Sequence, residues 1–433
     1  MPCRCLIVDF NSYFASVEQQ ERPELRGQAV AVAPLAAETT CCIAASYEAK
    51  RQGVKTGTPV HEARQLCPGL VVLEARPAVY VRYHQQLVAA IERCIHVVDV
   101  MSIDEVCCDL TATFAPRDRA EAVAKQIKRT IASEVGPCLT SSIGIAPNPF
   151  LAKIASDMQK PDELVVLDET NLPNRLFELK LRDLPGIGAG MERRLLAAGY
   201  NTVEKLYAAS RSELHKAWRG IEGDRMYGGL RGELIYRPAT QTSTIGHSHV
   251  LPPELRNEPG ALATLHRLLQ KAAMRLRHAG YYAGGLHVSL RYPRRASWSD
   301  GLTFLETQDT LELTRVFNRL WAGRPSGRQP MAVGVTLFNF TPVLGHTKTL
   351  FETGDSRGAL NAAIDKLNRR LGKNTVYFGG AHGSLDYAPL RIAFTRIPDV
   401  ALEEGETCDD LLPSEADLAK FRPPADSPPQ DSS

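Results

Sequence analysis

The fold is decided by the stretch Val97-Val98-Asp99-Val100-Met101-Ser102-Ile103-Asp104-Glu105-Val106-Cys107-Cys108-Asp109-Leu110. Two apolar, β-branched runs flank a tetrapeptide with adjacent carboxylates, which is typical of a β-hairpin with acid at its tip. Asp9 ends another apolar run, Leu6-Ile7-Val8. A sheet that pairs these strands would bring Asp9, Asp104 and Glu105 together at one edge.

Three converging carboxylates indicate a site for divalent metal. They repel one another, and one of them would stay protonated unless a cation lay between them. Two Mg²⁺ ions about 3.5–4 Å apart relieve this repulsion and clamp the attacking and leaving oxygens of a phosphoryl transfer. The plainer alternative is that Asp104 and Glu105 are turn residues and that Asp9 caps a helix. These residues alone do not separate the two interpretations.

The composition is typical of a soluble globular protein with several domains. The chain has 433 residues, of which 44% are hydrophobic and 23% charged, and its length suggests three or four folded units. No apolar run approaches the ~20 residues that span a bilayer, so we expect a cytoplasmic protein that makes no membrane contact. The ten cysteines lack Cys-x-x-Cys spacing and are expected to be buried, reduced thiols.

The net charge of +2 hides an asymmetry along the chain. Residues 399–433 contain ten acidic and two basic residues, a net charge of −8, so that residues 1–398 carry +10. A basic body with an acidic tail favours nucleic acid as a partner, although a generic solubilising surface would have the same charge.

The acidic motifs carry a resemblance to a known family. Asp9-Phe10-Asn11-Ser12-Tyr13-Phe14-Ala15-Ser16-Val17-Glu18 reads as a strand end and a helix capped by Ser12. Together with Ser102-Ile103-Asp104-Glu105 it resembles, in order and separation, the two palm motifs of Y-family translesion DNA polymerases. Many relatives have a second Asp at the position of Asn11, which places this chain nearer the UmuC-like branch.

The resemblance implies the roles of these residues. The catalytic carboxylates that hold two Mg²⁺ ions are Asp9, Asp104 and Glu105, and the backbone carbonyl of Phe10 is a further metal ligand. Phe14 is the steric gate, whose ring lies where a ribose 2′-OH would be, and Tyr13 lies beside it at the nucleotide.

Three further stretches resemble nucleotide- and DNA-binding parts of the family. Around Ser46-Tyr47-Glu48-Ala49-Lys50-Arg51, the resemblance implies Tyr47 and Lys50 at the incoming triphosphate, with Arg51 sharing the task. Most relatives have Arg at position 50, and Lys supplies a point charge without bidentate geometry. Lys160 matches another triphosphate-contacting lysine, whereas Lys153 is expected to support structure or to neutralise phosphate. An exposed charged helix is the alternative for the segment with Tyr47, Lys50 and Arg51 and also for Lys153.

DNA contacts are expected in two places. Leu184-Pro185-Gly186-Ile187-Gly188-Ala189-Gly190 is a helix-hairpin-helix signature, in which Gly186, Gly188 and Gly190 let the backbone approach phosphates. Residues 244–345 contain twelve basic and six acidic residues and resemble the little finger. Arg291, Arg294 and Arg295 are candidates for phosphate contact, and solvated loop charges are the alternative for them. Leu350 and Phe351 occupy the place of a sliding-clamp peptide, although its initial Gln is missing.

The expected fold is α+β and multidomain: a right-hand polymerase with a ferredoxin-like palm, small fingers, a helical thumb and an α/β little finger. Helical spacing at 80–97 and 119–136 around the hairpin gives the palm pattern βαββαβ. An amphipathic helix over 360–373 and a strand over 375–378 are expected near the C-terminus. The resemblance assigns 1–18 and 76–167 to the palm, 19–75 to the fingers, 168–233 to the thumb, 234–243 to a linker, 244–345 to the little finger, 346–398 to a UmuC-like extension and 399–433 to a disordered acidic tail.

The function implied is template-directed, low-fidelity translesion DNA synthesis in the SOS response to DNA damage, by a cytoplasmic, nucleoid-associated enzyme. The implied partners are primer-template DNA, dNTPs, the sliding clamp, and UmuD-like or recombinase accessory proteins. A catalytically inactive family member that binds DNA and clamp as an adaptor is the alternative, and a template-independent nucleotidyl transferase is a third hypothesis. The presence of all three carboxylates argues against the adaptor.

Overall fold

The computed structural model describes residues 3–35, 37–38, 40–110, 113–236, 242–346, 356–387 and 397–404. Its described residues fall into two compact units. The first contains residues 3–236 with 397–398, and the second contains those between 242 and 387 with 399–404.

The first unit combines two sheets with helices. Its strands are β1 (Cys5–Phe10), β2 (Val30–Ala33), β3 (Ala44–Ala45), β4 (Val71–Glu74), β5 (Val97–Val100), β6 (Glu105–Asp109), β7 (Ser141–Ala146) and β8 (Leu164–Val166). Its helices are α1 (Tyr13–Glu21), α2 (Tyr47–Arg51), α3 (Val60–Leu66), α4 (Pro77–Glu92), α5 (Arg117–Glu134), α6 (Pro149–Met158), α7 (Asn174–Phe177), α8 (Ala189–Ala197), α9 (Val203–Ala208), α10 (Arg211–Trp218) and α11 (Ile221–Leu230).

The larger sheet has the strand order β5-β6-β1-β7-β8. β1 lies between β6 and β7 and is antiparallel to both, and β5 pairs with β6 as the predicted hairpin. With α4 and α5 these strands form the expected ferredoxin-like βαββαβ arrangement, to which β8 is added parallel to β7. Every residue of β1 is buried, so its acidic residue is held in the buried central strand of the sheet.

Helix α6 approaches the sheet closely because β7 has a glycine at position 144. A Cβ atom there would lie 2.0 Å from the Ala152 carbonyl oxygen and 2.4 Å from the Ser156 nitrogen. Glycine therefore lets the backbone of α6 pack directly on β7.

Two local expectations differ from the structure. The helix expected over 80–97 ends at Glu92, because the β-branched residues after His96 pair with β6 as strand β5. Ser12 occupies the N-cap position of α1 but makes no capping hydrogen bond, because its backbone is left-handed at φ 48°.

The smaller sheet of the first unit has a core of small side chains. Its strand order is β3-β2-β4, and helices α2 and α3 contribute side chains to the same core. Five alanines, at positions 31, 33, 45, 49 and 63, share this core with Cys42 and Cys67. Small side chains bury little apolar area, so this core is weakly stabilised.

The expectation that the cysteines are buried is wrong for three of them. Cys41 is exposed, since only its backbone bridges to Pro59, and Cys94 and Cys138 are half-buried. All cysteines in the described ranges are free thiols.

The second unit is built on one antiparallel sheet. Its strands are β9 (Ile245–Val250), β10 (Tyr281–Arg291), β11 (Ser297–Thr307) and β12 (Ala332–Pro342), in the order β11-β10-β12-β9. Its helices are α12 (Glu258–His278), α13 (Thr310–Ala322), α14 (Ser356–Leu371) and α15 (Val400–Glu404). Leu265, Leu269 and Phe317 of the helices share a buried core with Leu286 and Val335 of the sheet.

The strand expected over 375–378 does not form. Val376 lies in a bend and Phe378 is extended, and their backbone groups pair with side-chain amides. Asn368 bonds both groups of Val376, and Gln270 bonds both groups of Phe378, at 2.8–3.2 Å. Two amide side chains thus replace the neighbouring strand that a β-strand at this position would need.

A membrane-crossing helix is absent from the described ranges, since none of their helices combines sufficient length with sufficient apolar character.

Candidate active site

The register of the larger sheet brings the predicted carboxylates together. Asp9, 4% exposed near the end of β1, lies directly opposite Glu105, the first residue of β6. The Phe10 backbone N–H donates to the Asp104 carbonyl oxygen at 2.8 Å, which fixes the hairpin turn beside the end of β1. The sequence prediction that strand pairing would gather these three residues is confirmed by this register.

Polar contacts hold the turn that carries Asp104. The Ser102 hydroxyl donates to Asp104 Oδ1 at 2.6 Å and accepts from the Asp104 backbone N–H at 3.2 Å. The buried His84 donates from Nδ1 to the Ile103 carbonyl oxygen at 2.8 Å, since a carbonyl can only accept. The turn is therefore held on both sides of its acidic residue.

Two lysines from α6 and the residues after it lie among the carboxylates. Lys153 Nζ lies 2.5 Å from Asp9 Oδ2, 2.6 Å from Glu105 Oε1 and 3.0 Å from Asp157 Oδ2. Lys160 Nζ lies 2.7 Å from Asp9 Oδ1 and 2.8 Å from Asp157 Oδ1. Sequence reasoning gave Lys153 only a supporting part, and the structure places it at the centre of the cluster.

Burial and charge oppose each other in this cluster. Burial raises the pKa values of both Asp104 and Glu105, because the ionised forms lose solvent. Burial acts to lower the pKa of Lys153, but the carboxylates of Asp9, Asp157 and Glu105 outweigh it and raise that pKa. The cluster thus favours a cation between its carboxylates.

The donor set fits a hard divalent cation. Carboxylate oxygens and a main-chain carbonyl are the ligands that Mg²⁺ prefers, and a cation would relieve the burial cost of ionised Asp104 and Glu105. In this conformation no group of three or more His, Cys, Asp or Glu side chains among the described residues is arranged to hold a metal ion. In this conformation Asp9 and Glu105 each direct an oxygen at the Lys153 ammonium.

The carboxylates open into a cavity of about 210 Å³. Most of the predicted metal- and nucleotide-binding residues line it: Asp9, Phe10, Tyr13, Phe14, Tyr47, Lys50, Asp104, Glu105 and Lys160. Lys153 lines it too, in addition to Ser12 and Thr56, which sequence reasoning assigned to no site. Arg51 is exposed and is not among the lining residues.

The wall at Phe14 is a rigid stack of aromatic rings. Phe14 is 2% exposed and stacks on Tyr80 with 4.6 Å between ring centroids. The Tyr80 hydroxyl donates to Glu18 Oε1 at 2.8 Å, and Arg76 Nη2 donates to Glu18 Oε2 at 2.6 Å. Glu18 is fully buried, and this supporting chain went unrecognised in the sequence because its partners lie some sixty positions apart.

The opposite wall comes from α2. Ser46 caps this helix by accepting from the Ala49 backbone N–H, and the Lys50 ammonium lies 4.4 Å from the centroid of the Tyr47 ring. Burial lowers the pKa of Lys50, and repulsion from Lys160 lowers it to a smaller extent. The ammonium groups of Lys50 and Lys160 repel each other, and both would attract an anion in the cavity.

The side chain of Asn11 connects neighbouring parts of the fold by hydrogen bonds. It is 2% exposed, its amide donates to Ser142 Oγ at 2.9 Å, and its Oδ1 accepts from the Asp162 backbone N–H at 2.9 Å. Its side chain ties β7 and the segment after α6 to the end of β1, so Asn11 is not directed at the carboxylate cluster.

The candidate DNA-binding residues lie in both units. Gly186 has φ +87°, Gly188 is the N-cap of α8, and a Cβ atom at 186, 188 or 190 would meet no atom within 4 Å. In the second unit Arg291 ends β10 and the exposed Arg294 has a left-handed backbone. The side chain of Arg295, and Leu350 and Phe351, lie outside what the structure describes.

The comparisons with known proteins agree with this arrangement. A family model described as "impB/mucB/samB family" matches residues 8–157, and one described as "impB/mucB/samB family C-terminal domain" matches residues 242–350. DNA polymerase IV of Moorella thermoacetica is 33% identical over 387 residues, 87% of this chain and 95% of that protein. DNA polymerase IV 1 of Bacillus subtilis is 34% identical over 300 residues, 67% of this chain and 70% of that protein.

A solved structure shares the fold. A Y-family DNA polymerase chimera of Dbh and Dpo4 matches with a TM-score of 0.65 and 24% identity, covering 78% of this chain and 99% of that one. The expected right-hand polymerase architecture is thereby confirmed. Both relatives are named DNA polymerase IV, and neither supports the placement nearer the UmuC-like branch.

Proposed function

The chain belongs to the impB/mucB/samB family of Y-family DNA polymerases, and from this membership we propose that it is a low-fidelity translesion DNA polymerase that copies a template during DNA damage tolerance. The primer 3′-OH attacks the α-phosphate of a dNTP and pyrophosphate leaves. The observation that carries the proposal is the single cavity lined by Asp9, Asp104 and Glu105 together with the basic residues Lys50 and Lys160.

The residues of the cavity have distinct parts in this reaction. Asp9, Asp104, Glu105 and the Phe10 carbonyl would hold two Mg²⁺ ions, which supply charge neutralisation and activation of the 3′-OH when bound. Tyr47, Lys50 and Lys160 orient and neutralise the triphosphate. Tyr13 and Phe14 form the side of the cavity against which the sugar of the nucleotide lies. Catalysis is thus positioning plus electrostatic stabilisation.

The domain assignment is part of the proposal. The ferredoxin-like sheet supports a palm formed by 1–18 and 76–167, and the small β3-β2-β4 sheet supports fingers at 19–75. Helices α7–α11 support a thumb at 168–233, and the four-stranded sheet supports a little finger at 244–345. A small, alanine-rich fingers core checks base-pair shape weakly, which suits damaged templates.

The partners proposed are primer-template DNA and dNTPs. The glycine turn before α8 and the arginines at 291, 294 and 295 are proposed phosphate contacts. Binding of a sliding clamp through Leu350 and Phe351, accessory proteins of UmuD-like or recombinase type, and association with the nucleoid are further expectations from the family.

Primer extension tests the proposal. The double variant Asp104→Ala, Glu105→Ala removes two charge-stabilising groups and is expected to slow extension of a primed template by about 10³-fold or more. DNA binding, measured by fluorescence anisotropy, should survive.

The matched control is Asp99→Ala with Asp109→Ala. It removes two exposed carboxylates from the same hairpin, which do not line the cavity, and should extend like the wild type. Equal extension by both double variants would reject the catalytic assignment. A wild-type chain that binds DNA without extending it would favour the adaptor, and extension that ignores template sequence would favour a terminal transferase.

A further inference from the structure

Lys153 bridges two strands at the place where a cation is needed. Its ammonium contacts Asp9 on β1 and Glu105 on β6, which the sheet register sets opposite each other. An ammonium has three N–H donors, and the third is directed at Asp157. All of its donors are therefore used on carboxylates.

We propose that the Lys153 ammonium takes the place of a divalent cation between Asp9 and Glu105, and that it withdraws onto Asp157 when that cation binds. This inference rests on the proposed metal site and adds a device that controls it. The side chains of Asp9, Lys153 and Glu105 are 6%, 18% and 23% exposed, so their charges are poorly screened by water. An internal cation holds both carboxylates aligned before metal arrives.

Asp157 is suited to receive the withdrawn ammonium. It lies one turn along α6 from Lys153, already contacts Nζ at 3.0 Å, and is 37% exposed at its side chain. Withdrawal therefore keeps one ion pair while two are given up. The Lys160 ammonium differs, because its contacts are with Asp9 and Asp157 and it makes no ion pair with Glu105 among the described side chains.

Metal binding by the full chain tests the displacement without any reaction. Mn²⁺ is titrated into the protein without DNA or nucleotide, and free Mn²⁺ is measured by electron paramagnetic resonance. Lys153→Met, which keeps length but removes charge, is expected to bind Mn²⁺ at least about tenfold more tightly than the wild type. Lys160→Met removes a neighbouring charge of the same kind and should tighten binding by about threefold or less. Equal gains in both variants, or none, would overturn the proposal.

A double-mutant cycle tests the part of Asp157. Asp157→Asn should weaken Mn²⁺ binding about threefold in the wild type, because the withdrawn ammonium loses its acceptor. It should leave the affinity of Lys153→Met unchanged, since no ammonium has to move. The same loss in both backgrounds would show that Asp157 acts on the metal directly and would reject the withdrawal.

A crystal structure of the wild type with Mn²⁺ gives a readout that needs no variant to fold. Lys153 Nζ should lie on Asp157 and away from Glu105. A Mn²⁺ ion on the carboxylates with Nζ still between Asp9 and Glu105 would refute the displacement while leaving the proposed metal site standing. If Mn²⁺ fails to bind these carboxylates in both the wild type and Lys153→Met, the metal site itself is rejected.

Discussion

Phe14 shows how a single side chain is prepared for its task by residues far away in sequence. Its ring is fixed by Tyr80, whose hydroxyl is fixed by the buried Glu18 and its partner Arg76. The sugar gate proposed for Phe14 requires a ring that does not yield, and stacking plus a buried ion pair supplies this rigidity.

Phe14→Ala is expected to admit ribonucleotides, because it removes the ring proposed to block the 2′-OH. The ratio of kcat/KM for dNTP to that for the matching rNTP should fall by about 10²-fold or more, measured by single-nucleotide insertion. Tyr80→Phe is the control, since it keeps the supporting ring and should retain most of the discrimination. Unchanged sugar selectivity in Phe14→Ala would show that another group is the gate.

The sequence predicted where the three carboxylates lie, but it did not predict the lysine that pairs with them. Asp9, Asp104 and Glu105 adjoin apolar strands, so a period of two residues and antiparallel pairing sufficed to place them together. Lys153 lies on a helix whose distance from the sheet depends on a glycine at 144, and no periodicity reports that distance. The Glu18–Tyr80 contact likewise joins elements whose packing the sequence does not reveal.

At the scale of elements, the sequence predicts strands correctly where another strand lies alongside to pair with the backbone. The hairpin β5-β6 was predictable because both of its strands are apolar and adjacent in the chain. Residues 375–378 have the same β-branched character, but Asn368 and Gln270 satisfy their backbone instead. Propensity describes a segment, whereas strand formation requires a partner.

Gly144→Ala is expected to displace α6 from β7, because the new methyl group would lie 2.0 Å from a backbone oxygen. The free energy of unfolding should fall by about 1–3 kcal/mol, measured by urea denaturation. Primer extension should fall further than stability alone explains, since Lys160, a proposed triphosphate contact, lies just after the end of α6.

Gly69→Ala is the matched control for this helix displacement. Its added Cβ atom would meet nothing within 4 Å and its backbone is not left-handed, so stability and extension should stay close to the wild type. Full stability in Gly144→Ala would show that the helix and strand can separate without cost.

At the scale of the whole molecule, charge matters more than any one contact. Residues 1–398 carry a net charge of +10, and the candidate phosphate-binding groups are spread over both units. Binding to DNA should therefore depend chiefly on displaced counterions.

The affinity for primer-template DNA should fall by about 10³-fold between 50 and 200 mM salt, measured by fluorescence anisotropy. Arg291→Ala with Arg294→Ala should reduce the slope of log Kd against log salt by about two. Arg315→Ala with Arg319→Ala removes two exposed charges of α13 and should leave the slope unchanged. Equal slopes in all three proteins would remove Arg291 and Arg294 from the DNA interface.

The pairing of Asp9 with Glu105 also limits how this molecule can change over evolutionary time. Loops between elements tolerate added or lost residues, but a single insertion in β1 before Asp9 would rotate Asp9 to the other face of the sheet, while Glu105, the first residue of β6, would keep its place. One acid would then point into packed helices while the other still faced the cavity. Proteins that evolve from this chain can gain residues in their turns, whereas β1 must keep its present register with β6.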